Sequence, residues 1–411
     1  MEFSPSLQAY LNKHPAVKTH VEGLVGQVRS CSRHAGGVVI AENLNENMPL
    51  INSGGVRPAP WAEGQNVRHL EPMGFIKFDL LGLSTLKMME GCIEHILRRH
   101  HGVENPTFAE VLNYYNEKLH PDVIDMDNQE VYENVFHAGR WAGIFQFTEQ
   151  GAQKFCTRVK PRNIIDVSAI TSIYRPGPLS AGVHDEYLEA KESPQYIRYL
   201  TDESREITQE TFGFLIFQEQ IALLANKLGG LTLDEGNMLR KVLTKKGTGK
   251  ADVTDQLRIK FINGCVDKGI KVDDASSLWN KFEYFSGYGF NKSHAVSYSV
   301  ISFQCAWLWN YYPAEWMAAF LDKEPETRKE KAINIAKQYG FDIAPLDINK
   351  SGTVWEISDD GKTLIQPLTS IKGLGVSAIE QILNCRPFED AESLLFNDEV
   401  TYSKLNKKSL D

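Results

Sequence analysis

The chain has 411 residues, 42% apolar and 24% charged, with a net charge of −9, which is globular composition with length for more than one core. No apolar run approaches the roughly eighteen residues of a membrane span, and the N-terminal "MEFSPSLQAYLNKHP" lacks the basic start and apolar core of a signal peptide. The six cysteines lie far apart with no C-x-x-C pair, against structural zinc or a disulfide framework and for a reducing cytoplasm, while the acidic balance argues against a nucleic-acid-coated protein but allows a local basic channel.

In chain order, residues 6–30 show apolar positions at helical spacing, interrupted by Pro15. Residues 33–50 change character: a Gly-Gly turn, the β-branched run Val38-Val39-Ile40, then a polar loop. A second strand is expected over 73–81. From about 84 to 345 helical patterns dominate, with Gly/Pro breaks at 105–107, 176–178, 229–230 and 247–249. Residues 353–371 read as β again, with Asp360-Gly361 as a hairpin turn. In "IKGLGVSAIEQIL" a Gly-x-Gly hairpin between two helices exposes backbone N–H groups that suit a phosphate backbone; Lys372, Gly373 and Gly375 are its candidate DNA contacts.

The strand "GFIKFDLLGLSTL" (74–86) sets Lys77 and Asp79 on one face, two residues apart. Phe78, Leu80 and Ile76 are then expected to pack into a core while the charged pair looks out. Two readings stand: a surface ion pair on a solvated sheet face, or a carboxylate for a divalent metal beside a lysine for phosphate oxygens. One aspartate does not suffice for Mg²⁺. In "GNMLRKVLTKKGTGK" (236–250), Arg240, Lys241, Lys245, Lys246 and Lys250 stand without an acid, and Met238, Leu239, Val242 and Leu243 are the expected buried stripe. This is either a solvated basic face or the place to look for a polyphosphate. The loop "FSGYGFNKSHAVSYS" (285–299) brackets Tyr288 with two glycines, and Lys292 and His294 follow. Arg175 precedes a stiff Pro-Gly-Pro turn, and Gln218-Glu219-Gln220 interrupts an apolar helix. Cys31 and His34 lack a third orienting group for thiol catalysis.

"RHAGGVVIA", "FIKFDLLGLSTL", "GIFQF", "YRPGPL", "QEQI", "MLRKVLTKK", "GYGFNKSHAVSYS" and "YPAEWMAAFL" occur in an order that resembles the bacterial replicative C-family DNA polymerases. The resemblance spans roughly residues 6 to 411. It implies an α+β chain: the end of the thumb (1–32), the second part of a nucleotidyltransferase-type palm sheet (33–85), large mainly helical fingers (86–345), and a β-hairpin with the start of a helix-hairpin-helix region (346–411). It implies that Asp79 is a metal-binding catalytic aspartate and that Lys77 meets the incoming triphosphate. Arg240 and Lys241 reach the same phosphates, where the family usually has two arginines; a lysine keeps the charge but loses the bidentate fork. Tyr288 and His294 line the nucleotide pocket, joined by Arg175, while Lys245, Lys246 and Lys292 face DNA.

The family's PHP domain and its first palm segment, with a Gly-Ser motif and an Asp-x-Asp pair, have no counterpart in these residues, nor do the OB and clamp-binding regions. Asp125-Met126-Asp127 has the Asp-x-Asp spacing but stands after the strand motif, and is read as coincidence. The expectation is therefore one chain of a split DNA-directed DNA polymerase, such as a phage might encode. It would be inactive alone and share Mg²⁺ with carboxylates of a complementary chain carrying the first palm segment. Primer–template DNA, deoxynucleoside triphosphates and other replisome proteins are the further expected partners, in the cytoplasm of a bacterium or a phage-infected one. The alternatives are a non-catalytic DNA- or nucleotide-binding module, a regulator that binds a replication protein, or an incomplete remnant.

Overall fold

The computed structural model describes residues 5–27, 36–52, 55–59, 69–180, 182–244, 251–285, 288–401, 403 and 405. They fall into two compact units, Met1–Leu83 and Ser84–Asp411.

In the first unit, helices Pro5–Lys13 and Ala16–Leu24 are separated at Pro15, which has no N–H to continue the first helix. Strands β1 (Gly37–Ile40) and β2 (Ile76–Asp79) then pair antiparallel, with Val38 opposite Phe78 and Val39 opposite Lys77. The Gly-Gly turn has a steric reason. The Gly36 carbonyl accepts from Leu80 N at 2.7 Å, and a Cβ on Gly36 would stand 2.5 Å from the Leu80 carbonyl oxygen. A small cluster of Met48, Leu70 and Phe75, joined by Val39, Ala41 and Leu44, is the unit's apolar centre.

The second unit is helical as the periodicity predicts. Helix Ser84–His101 packs on Pro313–Lys323, Ile164–Ile173 on Lys292–Tyr311, and Gln218–Lys227 on Leu233–Thr244. Ile164–Ile173 is buried on nearly every side, so its apolar residues need no single stripe. Trp279, Trp309, Trp316 and Trp355 are fully buried in one continuous core. These packed pairs fix the site: Arg175 follows the first member of the second pair, and the Tyr288 loop precedes its partner. Gln218 and Arg240 lie on the two members of the third.

A three-stranded sheet ends the helical region, in the order β3 (Asp342–Ala344), β5 (Thr363–Ile365), β4 (Glu356–Ile357). β4 and β5 form the expected hairpin. Its Asp360 carboxylate accepts from Ser358 Oγ, and from Lys362 N, Thr363 N and Thr363 Oγ1 at 2.7–2.9 Å, which together hold its pKa well below the usual range. β3 lies inside the span expected to be helical, and three residues are too few to show a period. Helix Val376–Cys385 covers a second core of Leu368, Ala378, Ile379 and Ile382. Among the described residues, no helix is long and apolar enough to cross a membrane.

Candidate functional site

On the β1–β2 hairpin, Lys77 and Asp79 share a face, and Lys77 Nζ lies 3.1 Å from Asp79 Oδ1. The Asp79 side chain is 63% exposed and the Lys77 side chain 15%. The rest of the expectation is reversed: Val38, Ile40, Ile76 and Phe78 form the opposite face and are 44–63% exposed, with Leu80 and Leu81 exposed beyond them. The reason is that, among the described residues, the unit has one small apolar cluster, and Val39, on the Lys77 face, packs against it. Asp79 offers an accessible oxygen donor of the kind Mg²⁺ takes. Among the described residues no group of three or more His, Cys, Asp or Glu side chains is placed to hold a metal ion, so these residues fit as a contribution to such a site and not as the whole of it.

In the second unit, motifs far apart in the sequence meet. Phe217 and Phe290 form a parallel bridge: Gln218 N donates to Phe290 O at 2.8 Å and Phe290 N to Ile216 O at 3.0 Å. Gln218 extends this bridge with its side chain. Its Oε1 accepts from Arg240 Nη1 at 2.8 Å, and its Nε2 donates to Gly289 O at 2.9 Å. The arginine of the basic helix and the aromatic loop are thus held through one amide. Glycine is required beside it, because a Cβ on Gly289 would stand 2.9 Å from the Phe285 ring and 3.0 Å from Gln218 Cγ. The Arg-Pro-Gly-Pro turn closes another side. A Cβ on Gly177 would stand 2.7 Å from the Tyr288 ring, and the Arg175 guanidinium lies 4.7 Å from the Phe290 ring centroid. A cavity of about 230 Å³ opens beside Arg175, Thr171 and Phe290.

Glu219 and Gln220 complete the triplet's work. Glu219 accepts from Asn291 Nδ2 and Lys292 N, both at 2.9 Å, and Asn291 Oδ1 caps the helix by accepting from His294 N at 2.8 Å. The first amides of helix Lys292–Tyr311 therefore already have oxygen partners. Gln220 is buried and accepts from Ile216 N and Phe217 N at 2.9 and 3.0 Å. None of the three is among the expected site residues; the polar interruption of an apolar helix is the signal for them in the sequence.

The other expected residues are distributed as follows. Lys292 Nζ pairs with both oxygens of Glu210 at 2.6 and 2.8 Å, so this cation, expected to face DNA, has an acidic partner within the fold. His294 is exposed, its ring 4.0 Å from Tyr298 and 5.4 Å from Phe290. Lys241 is exposed on helix Leu233–Thr244. The buried stripe of that helix is Gly236, Leu239 and Leu243, while Met238 is 48% exposed, a correction to the expected stripe. Gly236 sits against the Ala222 backbone, and this close crossing turns Arg240 toward Gln218. Lys245, Lys246 and Lys250, like Cys31 and His34, lie outside the described residues.

Asp125-Met126-Asp127 forms a local turn in which Asp125 Oδ1 accepts from Asp127 N at 3.0 Å. Lys372, Gly373 and Gly375 are exposed at a tight bend, with Gly373 at φ +100 and Gly375 capping helix Val376–Cys385. The element before the bend is a three-residue 3₁₀ turn, Leu368–Ser370, rather than a full helix.

Residues 86–269 match the bacterial DNA polymerase III alpha subunit finger domain, and residues 340–411 match a helix-hairpin-helix motif. Over 421 residues the chain is 31% identical to the DNA polymerase III subunit alpha of Campylobacter jejuni, covering 100% of this chain and 33% of that protein. The Aquifex aeolicus subunit is 33% identical over 404 residues (97% and 33%), and that of Pseudomonas aeruginosa 30% over 400 (94% and 32%). The chain belongs to the bacterial replicative C-family DNA polymerases and corresponds to part of their alpha subunit, spanning about a third of the length of the curated relatives it matches.

Proposed function

We propose that this chain supplies the fingers, and one carboxylate-bearing strand of the palm, to template-directed DNA synthesis. The observation that carries this reading is the Gln218 bridge, which brings Arg240 and the Tyr288 loop together at Gln218.

In the reaction a primer 3′-hydroxyl attacks the α-phosphate of a deoxynucleoside triphosphate, forming the new P–O bond as the bond to pyrophosphate breaks. Arg240 neutralises negative charge on the triphosphate, and Lys241 adds a point charge without a fork. Tyr288 bounds the nucleotide, and Arg175 and His294 complete its surroundings. On the other unit, Lys77 serves phosphate oxygens and Asp79 provides one metal ligand. Mg²⁺, when bound, would activate the attacking oxygen and stabilise the leaving one. The remaining carboxylates belong to a complementary palm segment, on a separate chain in the split reading. Lys372, Gly373 and Gly375 approach the DNA backbone, while Lys245 and Lys246 contribute to the same duplex.

A second reading has its own support. It rests on Asp79 being a single accessible carboxylate beside Lys77 on its strand, and in it the chain binds nucleotide and DNA without joining them. Primer extension with and without a polypeptide carrying the Gly-Ser and Asp-x-Asp palm segment separates the two. Extension only in its presence supports the polymerase reading. Binding of dATP and primer–template with no extension under any complement leaves the binding module.

A further inference from the structure

The segment "GIFQF" (143–147) takes part in two successive β-turns: Ile144 N donates to Trp141 O and Phe147 N to Ile144 O, both at 3.2 Å. In each, the third residue lies in the left-handed region, a place that turns ordinarily give to glycine or asparagine. The first turn has Gly143 there, at φ +72, where a Cβ would stand 2.8 Å from Met88 and 3.1 Å from Trp316. The second has Gln146, at φ +68. The other described non-glycine residues at positive φ, Asn43, Lys160 and Phe212, each cap a helical turn, and Gln146 caps none. The turn is held on both sides of it. Ser302 Oγ donates to Phe145 O at 2.9 Å and Gln153 Nε2 to Phe147 O at 2.8 Å. The Phe145 ring lies 5.3 Å from that of Tyr298, itself 4.0 Å from His294. The Gln146 side chain is exposed, and its carboxamide has no hydrogen-bond partner among the described residues. It lines the cavity of about 230 Å³ together with Thr171, Tyr174, Arg175 and Phe290.

We propose that Gln146 is a specificity-determining residue that binds the nucleoside part of the deoxynucleotide, its base and sugar, rather than its phosphates. This rests on the polymerase reading, in which Arg175 and His294 surround the incoming nucleotide. The turn gains nothing from glutamine at a left-handed position: the backbone strain costs stability, and an exposed carboxamide without a partner returns none. Glycine would fit without strain. What the side chain can supply is a contact to a ligand in the cavity it lines, and its chemistry selects the part of the ligand. A carboxamide is neutral and offers donors and an acceptor together. Ionised phosphate oxygens only accept, and cations serve them better. Base edges and the deoxyribose hydroxyl carry neutral donors and acceptors of both kinds. The two glutamines therefore divide the site. The Gln218 amide is engaged at both ends, by Arg240 and by Gly289, and holds the phosphate side together. The Gln146 amide stands free at the nucleoside side.

The test is titration of the full chain with dATP and, separately, with inorganic tripolyphosphate, which carries the charges and lacks the nucleoside. Gln146→Ala and Gln146→Gly should each weaken dATP binding about threefold to tenfold, as for the loss of an uncharged hydrogen bond, and leave tripolyphosphate affinity unchanged. Arg240→Ala should weaken both. Gln146→Gly should also melt at or above the wild-type midpoint, because glycine takes a positive φ without strain. A Gln146→Gly chain that binds dATP as tightly as wild type would make Gln146 a turn residue only. That result, or equal losses for dATP and tripolyphosphate, overturns the proposal while leaving nucleotide binding in place. A wild-type chain that binds neither ligand overturns the nucleotide reading and this proposal with it.

Discussion

In the β1–β2 hairpin, four apolar side chains face outward and one small cluster covers the other face. At the Gln218–Phe290 bridge, each residue of the Gln-Glu-Gln triplet has hydrogen-bond partners, and the glycines fit against rings with no room for a Cβ. Both regions carry motif residues of the same family. The comparison teaches that the Gln218–Phe290 junction is assembled by its own sequence, whereas the β1–β2 hairpin shows Lys77 and Asp79 on a sheet whose opposite face the described residues leave exposed. An antiparallel pair with an uncovered apolar face is marginal by itself and suits pairing with further strands.

The largest expected effect sits on the half-covered side. With a complementary palm segment present, Asp79→Asn should reduce single-nucleotide primer extension on the order of a thousandfold or more while sparing primer–template affinity, because it removes the charge of a metal ligand at nearly constant size. Extension at the wild-type rate would make Asp79 a surface carboxylate paired with Lys77. On the self-assembled side the losses should be smaller and visible without any complement. Arg240→Ala should weaken dATP binding to the isolated chain by roughly tenfold to a hundredfold, as expected for a charged hydrogen-bonding partner of phosphate. Gln218→Ala should cost about threefold to tenfold by releasing Arg240 and Gly289, and titration by tryptophan fluorescence would read both.

The smallest effect tests packing within the second unit. Burial pushes the Asp322 carboxyl up to about 7 although its Oδ1 accepts from Trp355 N at 3.0 Å. The folded chain therefore holds that proton more tightly than the unfolded one. The contribution to stability is fully present below the unfolded value near 4 and is lost as pH rises through about 7. Asp322→Asn keeps the acceptor and should raise the melting midpoint at pH 8 but not at pH 4. Equal shifts at both would mean that Asp322 is ionised in the folded state.

Much of this was legible in the sequence. Helical periodicity gave the body of the second unit, Pro15 the break between the first two helices, and Asp360-Gly361 the hairpin turn. The two strands were legible as β-branched or aromatic runs, while their antiparallel pairing was not. What could not be read was which face of that hairpin would be covered, since alternation defines two faces and only tertiary packing chooses between them. The same holds for Arg240. Its charge suggested solvent, but Gly236 permits a close helix crossing that turns it toward a glutamine in another motif. Lys292 looked like a free cation because nothing local announces Glu210, 82 residues away.

The central claim is that Gln218 joins Arg240 and the Tyr288 loop into one triphosphate site, and a double-mutant cycle of dATP affinity tests it most directly. Wild type, Gln218→Ala, Arg240→Ala and the double variant would be titrated under one salt condition, with thermal melting to confirm folding. If Gln218 acts through Arg240, the double variant should bind about as weakly as Arg240→Ala alone, leaving a coupling of about 1 kcal/mol or more. Losses that simply multiply, or an Arg240→Ala chain that binds dATP as tightly as wild type, would contradict it.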